Sequence, residues 1–382
     1  MRDALGDGTH LGYCTNVHAG TTWGELIANL DRHAAVVRER LRLPDPMGIG
    51  LWLPASVAGE AVASNRGSFL RDWLGERGLY VFTMNGFPFG DFHAEIVKRA
   101  VYEPTWADDR RVAYTIDLIT ILAQLMPEGS EGSISTLPLG WSGFPQSEPK
   151  AGFLETCREN LERVVEKLAS VEQEHGVTIH LDIEPEPGCT LTTSGDVVRF
   201  FERYVQAGGE RNTRFIGVCH DVCHASVMFE DQREVLHRYR DAGITVGKVQ
   251  VSSALRTSGE RAEALGAFGE QRFMHQTCVR TGDEIARFED LPDALAGGDR
   301  AAQSEWRVHF HLPVFAPGLG PLGTTRDEIP GAIDAARAIG VSHFEVETYA
   351  WDVLPQEHKE PALVDGIARE LIWVRETCGK DA

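Results

Sequence analysis

Hydrophobic and polar residues alternate in short stretches of strand length, and longer stretches with helical periodicity separate them. The periodicity is clearest over Phe153–His175, where Leu161, Val165 and Leu168 fall on one face of a helix. Nine stretches have strand character: 11–16, 48–53, 79–84, 133–137, 178–184, 214–221, 245–252, 307–313 and 343–348. Helical periodicity marks 23–41, 110–126, 153–175, 197–207, 229–242 and 333–339.

Strands that alternate with helices form parallel β-α-β units, and eight such units close into a barrel. We therefore predict an α/β fold, a (β/α)8 TIM barrel forming a single domain over residues 1–382. The sequence offers nine candidate strands and the barrel needs eight, so 307–313 is predicted to be an extra strand. It would follow a charged helical excursion, about 255–305, between strands 7 and 8. A doubly wound open sheet is the main alternative, but no Gly-x-Gly-x-x-Gly follows the first strand.

The stretch Thr178-Ile-His-Leu-Asp-Ile-Glu184 has one aliphatic face and one ionisable face. Because helices are predicted to cover the aliphatic face, the polar face must point into the barrel. Later strands repeat this arrangement on their polar faces, with Asp221, His224, Lys248, Gln250, Ser252, His309, His311, His343, Glu345 and Glu347. Barrel enzymes place their chemistry at the C-terminal ends of strands, so these side chains predict a site there.

Carboxylates and imidazoles that converge in a buried place need a neutralising partner. A divalent cation such as Mn²⁺, Zn²⁺, Co²⁺ or Mg²⁺ accepts these oxygen and nitrogen ligands. The alternative is a buried salt-bridge network with Lys248, Arg214 and Arg256. Two carboxylates on opposite sides of an open position could also exchange a proton with a substrate carbon.

The composition excludes several classes of partner. A net charge of −20 argues against nucleic acid and anionic membrane surfaces. No stretch is apolar enough to span a membrane, and the N-terminus lacks the apolar core of a signal peptide. Seven scattered cysteines fit reduced thiols, so we expect a cytoplasmic protein. The oligomeric state is left open.

The segment Gly217-Val-Cys-His-Asp221-Val-Cys-His224-Ala resembles the Asp-x-x-His segment of the xylose-isomerase-like barrel superfamily, which contains sugar isomerases, ketose epimerases and endonuclease IV. Ile183-Glu184-Pro-Glu-Pro-Gly188 and Phe344-Glu-Val-Glu347-Thr resemble the segments of its Glu ligands. The resemblance implies that Glu184, Asp221 and Glu347 are metal ligands. Where the superfamily has a fourth-ligand His, this chain has Gln250, so either Gln250 or His311 completes the predicted set.

Other residues have supporting roles in this interpretation. His309-Phe-His311 resembles an element that binds additional metal ions in endonuclease IV, but that enzyme's third- and fourth-strand histidines are replaced by Asn85 and Pro138. We therefore disfavour a DNA-repair nuclease. Eight residues are predicted to contact the substrate or to support the ligands: His224, His309, Lys248, Asp182, Glu345, His10, His18 and Asn85.

Four segments look more narrowly like the metabolite traffic protein EboE family: His10-Leu-Gly-Tyr-Cys-Thr-Asn-Val-His18, Phe82-Thr-Met-Asn-Gly-Phe-Pro-Phe-Gly90, Ser133-Ile-Ser-Thr-Leu-Pro-Leu-Gly140 and Glu345-Val-Glu-Thr-Tyr-Ala-Trp-Asp-Val-Leu-Pro355. That family accompanies a prenyltransferase and a sugar-phosphate-cyclase-like enzyme in export-associated gene clusters. The resemblance does not define its chemistry.

The function we expect is a metal-dependent isomerase or epimerase of a small polyhydroxylated, sugar-like or cyclitol-like metabolite. Glu184 and Glu347 would be the catalytic residues, holding and returning the proton. Two alternatives remain open. One is a non-catalytic protein that binds or traffics such a metabolite, and the other is a metal-dependent hydrolase or lyase on the same scaffold.

Overall fold

A computed structural model describes residues 1–6 and 8–379 and contains an eight-stranded parallel barrel. The barrel strands are β1 (His10–Tyr13), β2 (Met47–Trp52), β3 (Leu79–Asn85), β4 (Glu131–Thr136), β5 (Thr178–Ile183), β6 (Ile216–Asp221), β7 (Val246–Val251) and β14 (His343–Val346). Each strand pairs in parallel with its sequence neighbour from β2 to β7, and β14 lies between β7 and β1. A parallel bridge between Cys14 and Gly50 brings β1 against β2. The predicted barrel is confirmed.

Most helices cover the outside of the barrel. The helices are α1 (Trp23–Asn29), α2 (Val36–Leu41), α3 (Ala55–Ala63), α4 (Gly67–Glu76), α5 (Asp109–Leu125), α6 (Phe153–His175), α7 (Ser194–Phe200), α8 (Glu210–Phe215), α9 (Val222–Val227), α10 (Gln232–Asp241), α11 (Leu291–Gly297), α12 (Ile329–Ala338) and α13 (Leu363–Cys378). Of these, α11 packs on the segment inserted between β7 and β14. In α6 the predicted stripe of Leu161, Val165 and Leu168 is buried. No described helix combines the length and apolar composition that crossing a membrane requires.

The insertion between β7 and β14 lies where the sequence placed it, but its secondary structure differs from the helical expectation. It is mainly an antiparallel sheet of six strands: β8 (Leu255–Ser258), β9 (Thr277–Thr281), β10 (Glu284–Phe288), β11 (Glu305–Val308), β12 (Gly318–Leu319) and β13 (Leu322–Thr324). The predicted extra strand 307–313 corresponds to β11, which ends at Val308.

A short hairpin explains the difference. The strands β9 and β10 pair from Thr281 and Glu284, so the turn consists of Gly282 and Asp283 alone. Gly282 has a φ of +60°, a conformation that favours glycine and suits two-residue hairpins. The high charge of this segment concealed the hairpin, because β10 is largely solvent-exposed and has no apolar face.

Below the strand ends, the barrel interior is filled with paired polar side chains. The amine of Lys248 lies 2.6 Å from a Glu345 carboxylate oxygen, and both side chains are fully buried. Burial alone would lower the pKa of Lys248, but Glu345 raises it overall, so the amine stays charged. The pair requires a glycine opposite, since a Cβ on Gly50 would lie 1.2 Å from Glu345 Oε1. This layer forms the floor of the site.

Candidate metal centre and substrate pocket

Three carboxylates converge at the C-terminal ends of β5, β6 and β14. Glu184 directly follows β5, Asp221 ends β6, and Glu347 directly follows β14. One oxygen from each lies within 4.8 Å of the others, and all three side chains are buried. Among the described residues, no lysine or arginine forms an ion pair with any of the three. The three cations of the salt-bridge alternative pair with other carboxylates: Lys248 with Glu345, Arg214 with Glu172 and Arg256 with Asp327.

Hydrogen bonds hold two of the carboxylates in fixed orientations. Asp221 Oδ1 accepts from the backbone N–H of His224 at 2.9 Å, as the N-cap of α9, and from the Ser252 hydroxyl at 2.8 Å. Glu347 Oε1 accepts from the side-chain amides of Asn16 at 2.8 Å and Asn85 at 2.7 Å. Each of these carboxylates therefore has one oxygen fixed by hydrogen bonds, and its other oxygen lies 3.7–3.8 Å from a ring nitrogen of His311.

The proximity of the carboxylates shifts their protonation. Burial, followed by repulsion from Glu347 and Asp221, raises the pKa of Glu184 well above its ordinary range. Burial and Asp221 do the same to the pKa of Glu347. Burial opposes ionisation of Asp221 too, but His224, His311 and the hydrogen bonds to Oδ1 outweigh it and lower its pKa. A cation at this point would favour the ionised form of all three.

Three histidines beside the carboxylates each use Nδ1 in a hydrogen bond to an oxygen acceptor. His224 Nδ1 lies 2.9 Å from the Pro185 carbonyl oxygen, and His311 Nδ1 lies 2.8 Å from the Glu347 carbonyl oxygen. A carbonyl oxygen can only accept a hydrogen bond, so Nδ1 carries a proton in both rings. His309 Nδ1 donates to Gln276 Oε1 at 2.8 Å in the same way. Burial lowers the pKa of His311 to about 4 and that of His309 well below its ordinary range. Both imidazoles are therefore neutral.

Glu186 forms a second cluster with His224 and His309, again with ligand atoms within 4.8 Å of one another. Its Oε1 accepts from the Tyr102 hydroxyl at 2.7 Å and the Gln276 amide at 3.0 Å. Gln276 is fully buried, although it lies in the charged segment that the sequence analysis describes as an excursion. The insertion thus supplies a residue that orients both Glu186 and His309.

The donor set fits a divalent cation. Several buried atoms lack a hydrogen-bond partner among the described residues: Glu184 Oε2, Asp221 Oδ2, His311 Nε2 and both amide atoms of Gln250. Buried polar atoms are rarely unpaired, because each costs about 1–3 kcal/mol. His311 Nε2 lies 3.8 Å from Asp221 Oδ2, so these two face each other. Carboxylate, imidazole and amide donors of this kind suit Mn²⁺, Zn²⁺, Co²⁺ or Mg²⁺.

Of the thirteen predicted site residues, six line the pocket over the carboxylates: Asn85, Glu184, His224, His309, His311 and Glu347. Asp221 and Gln250 are buried and pair across β6 and β7. The other five lie elsewhere. Asp182, Lys248 and Glu345 lie in the floor, where Asp182 pairs with His180 at 2.8 Å. His10 begins β1, at the opposite end of the barrel, and bonds the Tyr80 hydroxyl. His18 contacts the Tyr13 hydroxyl at 3.0 Å and stacks on His33, outside the pocket lining. A strand pattern alone does not tell the two barrel ends apart.

A cavity with about 500 Å³ of empty space, part of it open to solvent, lies over the carboxylates. Its lining includes four residues that we did not assign to the site from the sequence: Asn16, Tyr102, Glu186 and Tyr349. Glu186 and Tyr349 each follow a predicted ligand by two residues, in Glu184-Pro-Glu186 and Glu347-Thr-Tyr349. In an extended segment residues two apart point to the same side, so this spacing could have predicted both. Asn16 and Tyr102 lie in loops and had no such signal.

Solved structures of other proteins share this fold at low sequence identity. A xylose isomerase-like TIM barrel protein from Mycobacterium smegmatis, in complex with magnesium, is 12% identical with a TM-score of 0.54, over 99% of this chain and 98% of that chain. A D-allulose 3-epimerase from Methylomonas sp. is 9% identical with a TM-score of 0.54, over 97% and 98%. A second structure of that epimerase, in complex with D-allulose, gives 11% and 0.50, over 97% of each chain.

No curated protein matches the chain. The family model described as xylose isomerase-like TIM barrel matches residues 68–275, which is more than half of the chain and includes β5, β6 and β7 with Glu184, Asp221 and Gln250. The chain therefore belongs to the xylose isomerase-like TIM barrel family.

Proposed function

We propose that this protein is a metal-dependent isomerase or epimerase that moves a proton on a small hydroxy-carbonyl metabolite. The observation that carries the proposal is the convergence of Glu184, Asp221 and Glu347 within 4.8 Å at the base of an accessible pocket. The related fold of a D-allulose 3-epimerase supports it. The narrower resemblance to the EboE family stays a prediction.

In this proposal Glu184, Asp221 and Glu347 hold the cation, and Gln250 or His311 completes the set. When bound, a divalent cation would accept two neighbouring substrate oxygens and acidify the carbon-bound proton beside them. Glu184, whose Oε2 has no partner, takes that proton from carbon. Return of a proton to the opposite face of the same carbon gives the epimer. Return to the adjacent carbon, together with transfer of the hydroxyl proton to the former carbonyl oxygen, gives the isomer.

Glu347 is the second proton carrier in this scheme. Asn16 and Asn85 fix its Oε1, so only Oε2 is available to the substrate. Without a cation, burial and mutual repulsion raise the pKa values of Glu184 and Glu347. A bound cation would favour the ionised form of both, and an ionised carboxylate can accept a proton from carbon. Asp221, whose pKa is lowered, remains an anion and serves as a ligand only.

The test is exchange of solvent hydrogen into substrate. Purified protein loaded with Mn²⁺ is incubated in D2O with a panel of ketoses and keto-cyclitols, and deuterium at carbon is measured by mass spectrometry. We expect incorporation into at least one compound. Glu184→Gln should retain bound metal, measured by elemental analysis, and lose exchange by at least about 100-fold.

The matched control is Glu263→Gln, which makes the same change at an exposed position outside the pocket and should leave exchange unaltered. Undiminished exchange in Glu184→Gln would contradict the role of Glu184. Tight binding of a metabolite by the wild type without any exchange would favour the non-catalytic trafficking protein instead.

A further inference from the structure

We infer that the substrate is amphipathic: an oxygen-rich head bound at the carboxylates is joined to an apolar body held by the outer half of the pocket. The inference rests on the proposed function, because the head occupies the same site. It concerns the part of the pocket that proton transfer does not use.

The outer wall of the pocket is apolar and comes from two segments outside the barrel strands. The loop after β3 contributes Phe87, Pro88, Phe92, Val97 and Val101, and the insertion contributes Phe273 and Met274. The backbone N–H groups of Val97 and Lys98 both donate to the Arg272 carbonyl at 2.8 Å, which fixes the two segments against each other. This apolar wall is therefore part of the folded structure.

Three aromatic rings from different parts of the chain meet in this wall. The ring centroids of Phe92, Phe273 and Tyr349 lie 5.0–5.2 Å apart in all three pairings. The Tyr349 ring also lies 4.6 Å from the His311 ring. The aromatic wall thus adjoins the candidate metal ligands, and one molecule can contact both.

With the exception of Lys98, the polar side chains of the lining lie at the base of the pocket. The carboxylates, the three histidines, two asparagines and two tyrosine hydroxyls lie there, on strand ends or bonded to residues at strand ends. In the outer wall Lys98 is the one charged lining residue among those described, and its amine lies 2.6 Å from Asp290. That amine is therefore already committed to an ion pair.

A free sugar fits this distribution poorly, because it carries a hydroxyl on almost every carbon. Its far hydroxyls would lose water and meet aromatic and aliphatic side chains, which is unfavourable when no hydrogen bond replaces the water. An aryl or alkyl substituent would instead gain from leaving water. Both substituents share the apolar chemistry that the wall recognises.

The experiment compares probes that share one chelating head. Acetohydroxamate, phenylacetohydroxamate and hexanohydroxamate present the same two oxygens and differ in the apolar body. Their affinities for the Mn²⁺-loaded protein are measured by isothermal titration calorimetry. We expect at least one of the larger probes to bind about 10- to 100-fold more tightly than acetohydroxamate, and the better of the two identifies the wall as selective for aryl or alkyl groups.

A wall variant locates the effect. Val101→Asn places an amide in the outer wall at a partly buried position and should reduce the advantage of the larger probes at least about 5-fold while leaving acetohydroxamate binding unchanged. Val62→Asn, at a partly buried position on α3 outside the pocket, is the matched control and should change neither affinity.

The outcomes separate this inference from the proposed function. Equal binding of all three hydroxamates would overturn the amphipathic substrate and leave the metal-dependent proton transfer standing. If no hydroxamate binds and no metal is retained, both fail together. If the larger probes keep their advantage both in Val101→Asn and in metal-free wild type, they bind outside this pocket. That result would overturn the inference.

Discussion

His224 and His309 face each other with their Nε2 atoms 3.2 Å apart, and each ring carries a proton on the other nitrogen, Nδ1. His224 donates from Nδ1 to the Pro185 carbonyl at 2.9 Å, and His309 donates from Nδ1 to Gln276 Oε1 at 2.8 Å. When neither Nε2 is protonated, two lone pairs point into one gap, with the Tyr349 hydroxyl 3.4 Å from His309 Nε2. Such an arrangement is unfavourable until a cation or a donor lies between the two rings.

Replacement of His309 by Asn should separate ligand binding from folding. The Asn side-chain amide keeps a donor toward Gln276 Oε1 but removes the opposing Nε2. We expect the melting temperature of the metal-stripped protein to change by no more than about 3 °C, because a lost packing contact and a relieved repulsion oppose each other. The additional stabilisation by saturating Zn²⁺ should fall by at least half, measured by differential scanning calorimetry.

The control for His309→Asn is His33→Asn, since His33 stacks on His18 away from the pocket. That variant should keep the full Zn²⁺-induced shift. An unchanged Zn²⁺ response in His309→Asn would show that His309 is not a ligand.

Gln250 supports a second prediction, because it is fully buried and both of its amide atoms lack a partner among the described residues. Gln250→Met has nearly the same shape and no polar amide, so it should stabilise the metal-free protein by about 1–3 kcal/mol in urea unfolding. If Gln250 is a ligand, Gln250→Met weakens Mn²⁺ binding, and Gln250→His, with a better donor, strengthens it about 10-fold. No change in Mn²⁺ affinity in either variant would leave His311 as the fourth ligand.

The sequence predicted the parts of the site that follow the periodicity of the barrel strands. Glu184 was assigned to the candidate site because its strand alternates between aliphatic and ionisable residues, and Asp221 because it begins an Asp-x-x-His element. His309 and His311 alternate with Phe310 and Leu312, which are fully buried, so that pattern held even where the strand had ended.

The remaining contacts join residues far apart in sequence, so no local pattern contains them. The amide of Gln276 bonds Glu186 across 90 positions and the Tyr102 hydroxyl across 174. The orientation of Gln276 depends on an antiparallel insertion whose exposed strand lacks an apolar face. In contrast, His10 has the right chemistry for a site but lies at the start of its strand, which the alternation cannot distinguish from the end.

Gly50 gives a third prediction, on the floor of the site. Gly50→Ala would place a methyl carbon 1.2 Å from Glu345 Oε1, so the Lys248–Glu345 pair must separate. A buried charge without its partner costs about 3–5 kcal/mol, and we expect at least this loss of unfolding free energy. Gly59→Ala, within α3, is the matched control. The methyl carbon added there would have Asp117 Oδ2 as its nearest atom, at 3.7 Å, which is an ordinary van der Waals contact.

The control should be neutral or slightly stabilising, since alanine favours a helix over glycine by about 1 kcal/mol. Equal stability of Gly50→Ala and wild type would show that Glu345 has room to move and that the floor is not rigid.

Glu370 gives a prediction about pH. It lies in α13, is buried, and accepts hydrogen bonds from Thr348, Val314 and Trp351. Burial raises its pKa from the ordinary value of 4.5 to about 7 despite these bonds. Between those two values the folded protein keeps the proton while the unfolded chain has lost it. Stability from this group is therefore complete below pH 4.5 and declines as the pH rises to about 7.

The expected loss from Glu370 between pH 4.5 and pH 7 is about 3 kcal/mol, with no further change above this range. Glu370→Gln cannot ionise, so it lacks this loss. Its amide N–H₂ would face the Trp351 indole N–H, which adds a constant destabilisation that does not depend on pH.

Urea unfolding of wild type, Glu370→Gln and the exposed control Glu376→Gln at pH 5, 6, 7 and 8 tests this. The stability of Glu370→Gln relative to wild type should rise with pH up to about 7 and then level off, whereas that of the control should stay flat. Parallel profiles for all three proteins would mean that Glu370 is ionised throughout.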